Sequence, residues 1–499
     1  MPPAVHAPHA PSRAPWLLAL AALTLLRLCA AAALPLSGDE AYYWTWSHAL
    51  QGGYLDHPPM VALWMRTGTA LAGETALGLR LLGPLSAAAG SVLLAQAAEG
   101  VRPGAGVPAA ALFNGTLLLG AGAVTMTPDT PLVFFWTLAL WALVRVLRTG
   151  QGGGGRWWLA AGAASGLALD SKYTAGFLGV GIALWLAWVP GLRRWFASPS
   201  LWAGGILAAA LFAPVLAWNA GHGWASLLKQ GGRAADWDPA GALRHLGELV
   251  AGQAGLATPL VFACLAAGTA VAVRGAVRRD PGLSLLAALT VPGLLVFVQH
   301  AVGDRVQANW PAILYPAAAA AAGAWAAGAG QGRWWRASAA SGLALTALVT
   351  VQAIAAPLAL PRRLDPGLIR LGGWDALARD ADALRARSGA AFLAAENYGT
   401  ASLLAWWTPG PVLAADPPGD APRWSLLALP AAATPAPGLL LLSQRRREPP
   451  DPALWSQADP VGELVRARNG VEAERFRAYR VTPQPQAAFL RLPTPTKDR

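Results

Sequence analysis

The chain reads as an all-α polytopic membrane protein of about eleven transmembrane helices, followed by a small C-terminal α/β domain. Three observations predict this. Of 499 residues, 55% are hydrophobic and only 13% are charged, which is too apolar over too much length for one or two soluble cores. Runs long enough to cross about 30 Å of hydrocarbon recur between residues 14 and 357. Small groups of arginine punctuate every second gap between them, the pattern that orients a polytopic chain. The 55 Gly and 41 Pro lie within or between these apolar runs, where membrane helices tolerate them.

In chain order the candidate spans are 14–34, 76–97, 105–125, 131–148, 157–171, 173–190, 201–219, 247–273, 283–300, 311–329 and 337–357. The first resembles a signal peptide in its Ala-rich end, but ten further spans favour an uncleaved helix. The pair 157–171 and 173–190 is short for two crossings at about 1.5 Å rise per residue, so a re-entrant hairpin is the alternative there. With Arg13 cytoplasmic and one crossing per span, the cytoplasmic segments collect Arg13, Arg102, Arg145, Arg148, Arg156, Arg193, Arg194, Arg274, Arg278, Arg279, Arg333 and Arg336 against only Glu99 and Asp280. The opposite side takes Asp39, Glu40, Asp56, Glu74, Asp129, Asp170, Asp236, Asp238, Glu248 and Asp304. The formal charge of +12 is dispersed in these groups rather than gathered in a patch, which argues against nucleic-acid binding.

After Pro357 the composition turns soluble, dividing the chain into a membrane domain (1–357) and a tail (358–499). A helix-like stretch at Trp374–Arg387, an apolar run at Ala390–Ala395, a second helix near Thr400–Trp407 and strand-like runs at Pro411–Ala415 and Gly438–Ser443 predict a small α/β fold. An odd number of crossings puts it outside the cytoplasm. Cys29 and Cys264 both sit in apolar runs without metal-type spacing, and neither informs on redox compartment.

Four outer segments carry the chemistry. In the first (35–75), Asp39 and Glu40 stand beside Tyr42, Tyr43 and Trp44, followed by Asp56 and His57. Adjacent carboxylates at a membrane surface are costly unless they hold a cation, a metal or a sugar hydroxyl; the plain alternative is that they cap an interfacial helix. Asp129, within Thr127-Pro128-Asp129-Thr130-Pro131, is a helix cap or a site acid. Lys172, one of three lysines in an arginine-rich chain, pairs with Asp170 or binds an anion. Arg305 snorkels, or clamps a phosphate through its planar fork. Each signal is weak singly, but acids, His, Lys and Arg from separate loops all fall on one membrane face.

Six ordered segments carry a family resemblance: Asp-Glu-Ala-Tyr-Tyr-Trp (39–44), Asp-His-Pro-Pro-Met (56–60), Thr-Pro-Asp-Thr-Pro-Leu (127–132), Ser-Lys-Tyr-Thr-Ala (171–175), Trp-Asn-Ala-Gly-His-Gly-Trp (218–224) and Ala-Asn-Trp-Pro (308–311). Over roughly residues 15–410 the chain resembles the bacterial members of glycosyltransferase family 39, GT-C-fold enzymes related to protein O-mannosyltransferases and to the aminoarabinose transferase of lipid A. The resemblance implies an inverting transfer of a sugar from a polyprenyl-phosphate donor to a glycolipid, polysaccharide or protein acceptor, on the periplasmic face of a bacterial inner membrane. It implies Asp39 and Glu40 as the catalytic pair, with Asp39 as general base. Asp56, His57, Asp129, Lys172, Tyr173 and Arg305 are expected to hold and orient the donor phosphate. A divalent metal is left open, with Asp39 and Glu40 as its ligands if it is present. Two rival readings are a polyprenyl-linked sugar or lipid transporter, which would set acids at mid-membrane depth, and a protein O-mannosyltransferase.

Overall fold

The computed structural model describes residues 14–150, 153–232, 239–328, 331–432, 436–446 and 448–495. Arg13, Asp236 and Asp238, used above for orientation, lie outside the described residues. The helices run α1 (Ala14–Ala33), α2 (Gly38–Ser47), α3 (Met60–Ala72), α4 (Ala76–Arg80), α5 (Leu82–Val101), α6 (Gly106–Asn114), α7 (Leu117–Val124), α8 (Asp129–Thr149), α9 (Gly155–Leu169) and α10 (Gly176–Trp188). They continue as α11 (Pro199–Gly221), α12 (Ala225–Gly232), α13 (Ala242–Ala257), α14 (Pro259–Val277), α15 (Pro281–Gly303), α16 (Tyr315–Ala326) and α17 (Gly332–Ala355).

Among the described residues seven helices are long and apolar enough to cross a membrane, or up to nine if each of two bent pairs is one span. This is an integral membrane protein. The difference from eleven has local causes. The run at 105–125 breaks at Gly115 and Thr116, where α6 and α7 meet at 66°. The run at 247–273 keeps one span, shifted to Pro259–Val277, because Thr258 at φ 65° and Pro259 start a new helix there. α9 has 15 residues and α16 only 12, shorter than a full crossing. α9 packs between α8 and α11 while α10 packs on α15, so the pair is not a hairpin closed on itself. α8 is the central helix, whereas α1 and α11 lie at the rim with Leu18, Leu25, Trp202 and Ile206 exposed, the expected lipid-facing surface.

The tail holds α18 (Pro366–Arg370), α19 (Trp374–Arg387) and α20 (Tyr398–Trp407), with strands β1 (Phe392–Ala394), β2 (Val412–Ala414), β3 (Gly438–Ser443), β4 (Trp455–Arg468), β5 (Val471–Pro483) and β6 (Leu490–Arg491). They form one mixed sheet in the order β4-β5-β3-β1-β2-β6, with β1 parallel to both neighbours and the outer pairings antiparallel. Both predicted helices and the two predicted strands are present. The long β4–β5 hairpin was not expected, because its strands are rich in Arg and Glu. Its turn, Asn469-Gly470, has both residues at positive φ, the backbone that a two-residue hairpin requires.

The tail and the first outer segment share a core. Tyr42, Tyr43, Trp44 and Trp46 of α2 are buried in one cluster with Trp374 and Leu377 of α19, Leu404 and Trp406 of α20, and Trp424. Trp44 meets Trp406 edge-on at 5.1 Å. These aromatic residues are the floor on which the tail sits. The two helix starts touch through Gly38 and Gly399, where a Cβ on Gly38 would lie 3.2 Å from the Gly399 Cα. A side chain at either position would have to push the neighbouring backbone aside by a few tenths of an ångström.

Candidate active site

Asp39 and Glu40 begin the same helix and part company at once, because successive residues on a helix are turned by about 100°. Glu40 points inward and is fully buried. Its Oε1 accepts from Arg80 Nε (2.6 Å) and from the Met126 amide (2.9 Å). Its Oε2 accepts from Arg80 Nη2 (2.9 Å) and from the amide and hydroxyl of Ser37 (3.1 Å each), completing a capping box with the Ser37 side chain. Arg80 in turn donates to the carbonyls of Ala31, Leu34 and Pro35 at the end of α1. Burial alone would raise the Glu40 carboxyl; the Arg80 guanidinium and the amide donors win and hold it below the usual range. Glu40 therefore ties α1, α2, α4 and the segment before α8 together.

Asp39 points outward and is exposed. Its Oδ1 accepts from the Tyr398 hydroxyl of the tail (2.9 Å), and its other oxygen has no hydrogen bond among the described residues. It has one free oxygen facing the mouth, which is what a general base needs. Glu40 has none.

Around Asp39 lie two further carboxylates. Asp56 accepts from Lys229 Nζ of α12 (2.5 Å) and from Arg423 Nε of the tail (3.3 Å), while its carbonyl takes Gln230 Nε2 (2.7 Å). Burial would raise the Asp56 carboxyl, but Lys229, Arg423 and His57 bring it below its ordinary value. Asp129, at the start of α8, accepts from Lys172 Nζ (2.7 Å) on one oxygen and from Asn309 Nδ2 (2.6 Å) on the other. Lys172 thus pairs with Asp129 and not with its neighbour Asp170. The phenol of Tyr43 sits among all of these groups. Burial pushes its hydroxyl up, and Asp39, Asp56, Tyr398 and Asp129 each add to the shift. The ring of His57 lies 6.1 Å from that of Tyr43.

The structure brings together Asp39, Asp56, His57, Asp129 and Lys172. It does not bring in the others. Tyr173 is turned toward α11 and α12, where its hydroxyl meets Ser226 Oγ (2.8 Å) and takes Asn219 Nδ2 (3.4 Å). Arg305 is exposed and pairs with Glu248 (3.2 Å). Glu40 does not fit a metal ligand, since all its acceptor directions face Arg80 and amide donors; among the described residues no three His, Cys, Asp or Glu are grouped as a cation site. Sequence reasoning passed over Arg80, Lys229, Tyr398 and Arg423. Arg80 had one signal, a basic residue at the outer end of a span. Lys229 had another, as a lysine where arginine is the rule. The tail residues lie hundreds of positions from Asp39, Tyr398 by 359, and carry none.

Asp129 borders a largely apolar groove between α5, α7 and α8, with a cavity volume of about 40 Å³, lined by Gly83, Ala87, Gly90, Leu119, Val133 and Phe134. Small residues on α5 leave the room.

The fold, a polytopic helical bundle with an appended sheet domain, is similar to that of solved membrane proteins. Residues 56–218 match the profile of the dolichyl-phosphate-mannose-protein mannosyltransferase family. The lipid A galacturonosyltransferase RgtD of Rhizobium johnstonii is 31% identical over 282 residues, a match covering 56% of this chain and 58% of that protein. The chain thus spans little more than half the length of the relative it matches. Crystal structures of ArnT from Cupriavidus metallidurans superpose over nearly the whole chain. The apo state gives a TM-score of 0.61 at 14% identity, covering 93% of this chain and 97% of ArnT. The form bound to undecaprenyl phosphate gives 0.64 at 14%, covering 94% and 98%. The ArnT-like helical fold and the C-terminal sheet domain that were expected are observed, with seven to nine rather than eleven helices able to cross a membrane among the described residues.

Proposed function

We propose that the protein is an inverting glycosyltransferase that moves a sugar from a polyprenyl-phosphate donor to an envelope glycolipid of the lipid A type, on the periplasmic face of the inner membrane. The observation that carries this reading is the position of Asp39: a carboxylate with one oxygen bonded to the Tyr398 hydroxyl and the other without a hydrogen bond among the described residues. The donor phosphate is held at the Asp129–Lys172 pair, a salt bridge of 2.7 Å. The relatives support the same chemistry, one acting on lipid A and another solved with undecaprenyl phosphate.

In the reaction Asp39 Oδ2 takes the proton of the acceptor hydroxyl. The hydroxyl oxygen bonds to the anomeric carbon on the face opposite the phosphate. The bond from that carbon to the phosphate oxygen breaks, and polyprenyl phosphate departs with the electron pair. Lys172 and His57 meet the charge that develops on the leaving phosphate. Glu40 holds the helix that aims Asp39 and takes no part in proton transfer. The tail and the loop 35–75 act as one unit in this reading, because the base is gripped from both.

The test is transfer of labelled sugar from a polyprenyl-phosphate donor to lipid A in proteoliposomes. Asp39→Asn is expected to lose about 10²–10⁴-fold in rate, the usual share of a general base. Wild-type rates from this variant would remove Asp39 from the mechanism, and sugar release without transfer to any lipid would move the acceptor to another class.

A further inference from the structure

On the face opposite the mouth, a group of arginines stands without acids. α8 starts at the mouth with Asp129 and ends on the far face at Thr149, and α9 starts there at Gly155. α10 returns to that face at Trp188, where the chain turns by 118° into a 3-10 helix, Pro190–Ala197, before α11 begins at Pro199. These ends carry Arg145, Arg148, Arg156, Arg193 and Arg194, all exposed, and none forms an ion pair among the described residues. The acids of this face are engaged elsewhere. Glu99 accepts from the amides of Gly104 (3.0 and 3.1 Å) and Gly106 (3.1 Å), and Asp280 caps α15 through the Leu283 amide (2.7 Å).

Several of the guanidinia are held in place. Arg145 lies 5.3 Å over the Trp141 ring and 5.7 Å over that of Trp157, and donates to Gln96 Oε1 (3.5 Å). Arg156 lies 5.1 Å over Trp157 as well, so two cations share one indole. Arg193 Nε donates to the Ala187 carbonyl (2.9 Å). Arg194 has no hydrogen bond among the described residues and lines an open cavity of about 330 Å³ with Gly155, Trp195, Ala197, Ser198 and Ser200. One water needs only about 10–15 Å³, so the cavity has room for a polyatomic group. Its floor is firm: Trp195 is buried and meets Trp158 edge-on at 5.6 Å, and a Cβ on Gly154 would lie 2.8 Å from the Trp195 ring. The hydroxyls of Ser198 and Ser200 bond to each other (2.8 Å), which leaves one of their two protons for a ligand.

The surroundings define the ligand class. A guanidinium and a hydroxyl proton in one cavity suit a phosphate. Beside it the surface turns apolar, with Trp188, Phe196 and Trp202 exposed. The indole N–H groups of Trp202 and Trp188 are bonded to the carbonyls of Phe196 (2.9 Å) and Ala276 (2.7 Å), with their rings outward, as aromatic residues stand at a membrane interface. A molecule with an anionic phosphate and acyl chains satisfies both halves, and basic pockets between helix ends suit such head groups.

We propose that this cavity is a binding site for an anionic phospholipid, whose phosphate sits at Arg194, Ser198 and Ser200. Arg145, Arg148, Arg156 and Arg193 supply the field that selects it over a zwitterionic lipid. The site is separate from the mouth and does not rest on the function proposed above.

The experiment counts retained lipid by native mass spectrometry of the full chain in detergent, with phosphatidylglycerol, phosphatidylcholine of the same acyl chains, or inorganic phosphate added. Wild type is expected to retain one phosphatidylglycerol in preference to phosphatidylcholine. Arg194→Gln is expected to weaken that binding about fivefold, the usual worth of one arginine at an anionic leaflet, and Arg194→Lys by less. Ser198→Ala should also weaken it, and serves if the Arg194 variants do not accumulate. Arg336→Gln removes a cation held over Trp335 at the start of α17, on the same face, and should leave the binding unchanged. The proposal is overturned if wild type retains neither phospholipid or both equally. It is overturned too if Arg336→Gln weakens binding as much as Arg194→Gln does, as a diffuse positive surface would give. Displacement of the lipid by inorganic phosphate at equal concentration also overturns it, and makes the cavity a site for a free anion.

Discussion

At the Glu40 node, five donors converge on one carboxylate in a dry interior, and every partner belongs to the membrane half of the chain. At the Asp39 mouth, one residue away, a single tail hydroxyl reaches an exposed carboxylate, and half of that carboxylate is open. The same chemical group serves architecture in one place and reactivity in the other. What separates them is a helical turn of about 100° between successive side chains and the solvent each one meets. A saturated carboxylate has no lone pair left for a substrate, and an open one adds little to folding.

The largest effect should come from breaking the node. Arg80→Leu leaves Glu40 charged, buried and unpaired, at a cost of about 3–5 kcal/mol, and should drop the detergent-solubilised protein's unfolding midpoint or abolish accumulation. Acid probes the same contact. The folded Glu40 value is depressed, so the stability it contributes is complete above the unfolded value of about 4.3 and is lost as pH falls below that through the folded value. Thermal unfolding is therefore expected to hold steady from neutral pH to about 5 and weaken below about 4.3, with a shallower acid limb in Glu40→Gln.

Asp39→Asn should invert this pattern: transfer falls by the two to four decades given above while the unfolding midpoint stays near wild type. An Asp39 variant that unfolds as badly as Arg80→Leu would erase the distinction between node and mouth. Next in size is the seam joining the two. Gly399→Val inserts a branched side chain where a Cβ already lies 3.3 Å from the Gly38 Cα, and should cost about 1–3 kcal/mol and slow transfer by shifting Tyr398 off Asp39. Smallest is Arg305→Gln. Its ion pair with Glu248 is exposed at 67% and 41%, so the stability change should stay below about 1 kcal/mol. A large rise in donor KM in that variant would return Arg305 to the phosphate site.

Much of the site was legible. Asp39, Asp56, Asp129 and Lys172 stand out because charge is scarce in an apolar chain and each falls at the outer end of a span. The partition between Asp39 and Glu40 was not legible, since adjacency in sequence says nothing about which side chain will find Arg80. Lys172 had Asp170 two residues away, yet the chain turns after α9 so that its ammonium reaches Asp129 on α8. In the tail, α19 and α20 were readable from their apolar spacing. The charged β4–β5 hairpin was not, apart from its Asn-Gly turn.

By itself the sequence determined the membrane class and the approximate course of the long helices. These depend on hydropathy and charge summed over tens of residues, which local composition records. Only the tertiary structure decided which carboxylate is open, and that the tail closes over the first loop through Gly38 and Gly399 to put Tyr398 and Arg423 beside Asp39. Such contacts join positions hundreds of residues apart through short-range forces, and nothing in either segment alone encodes its partner.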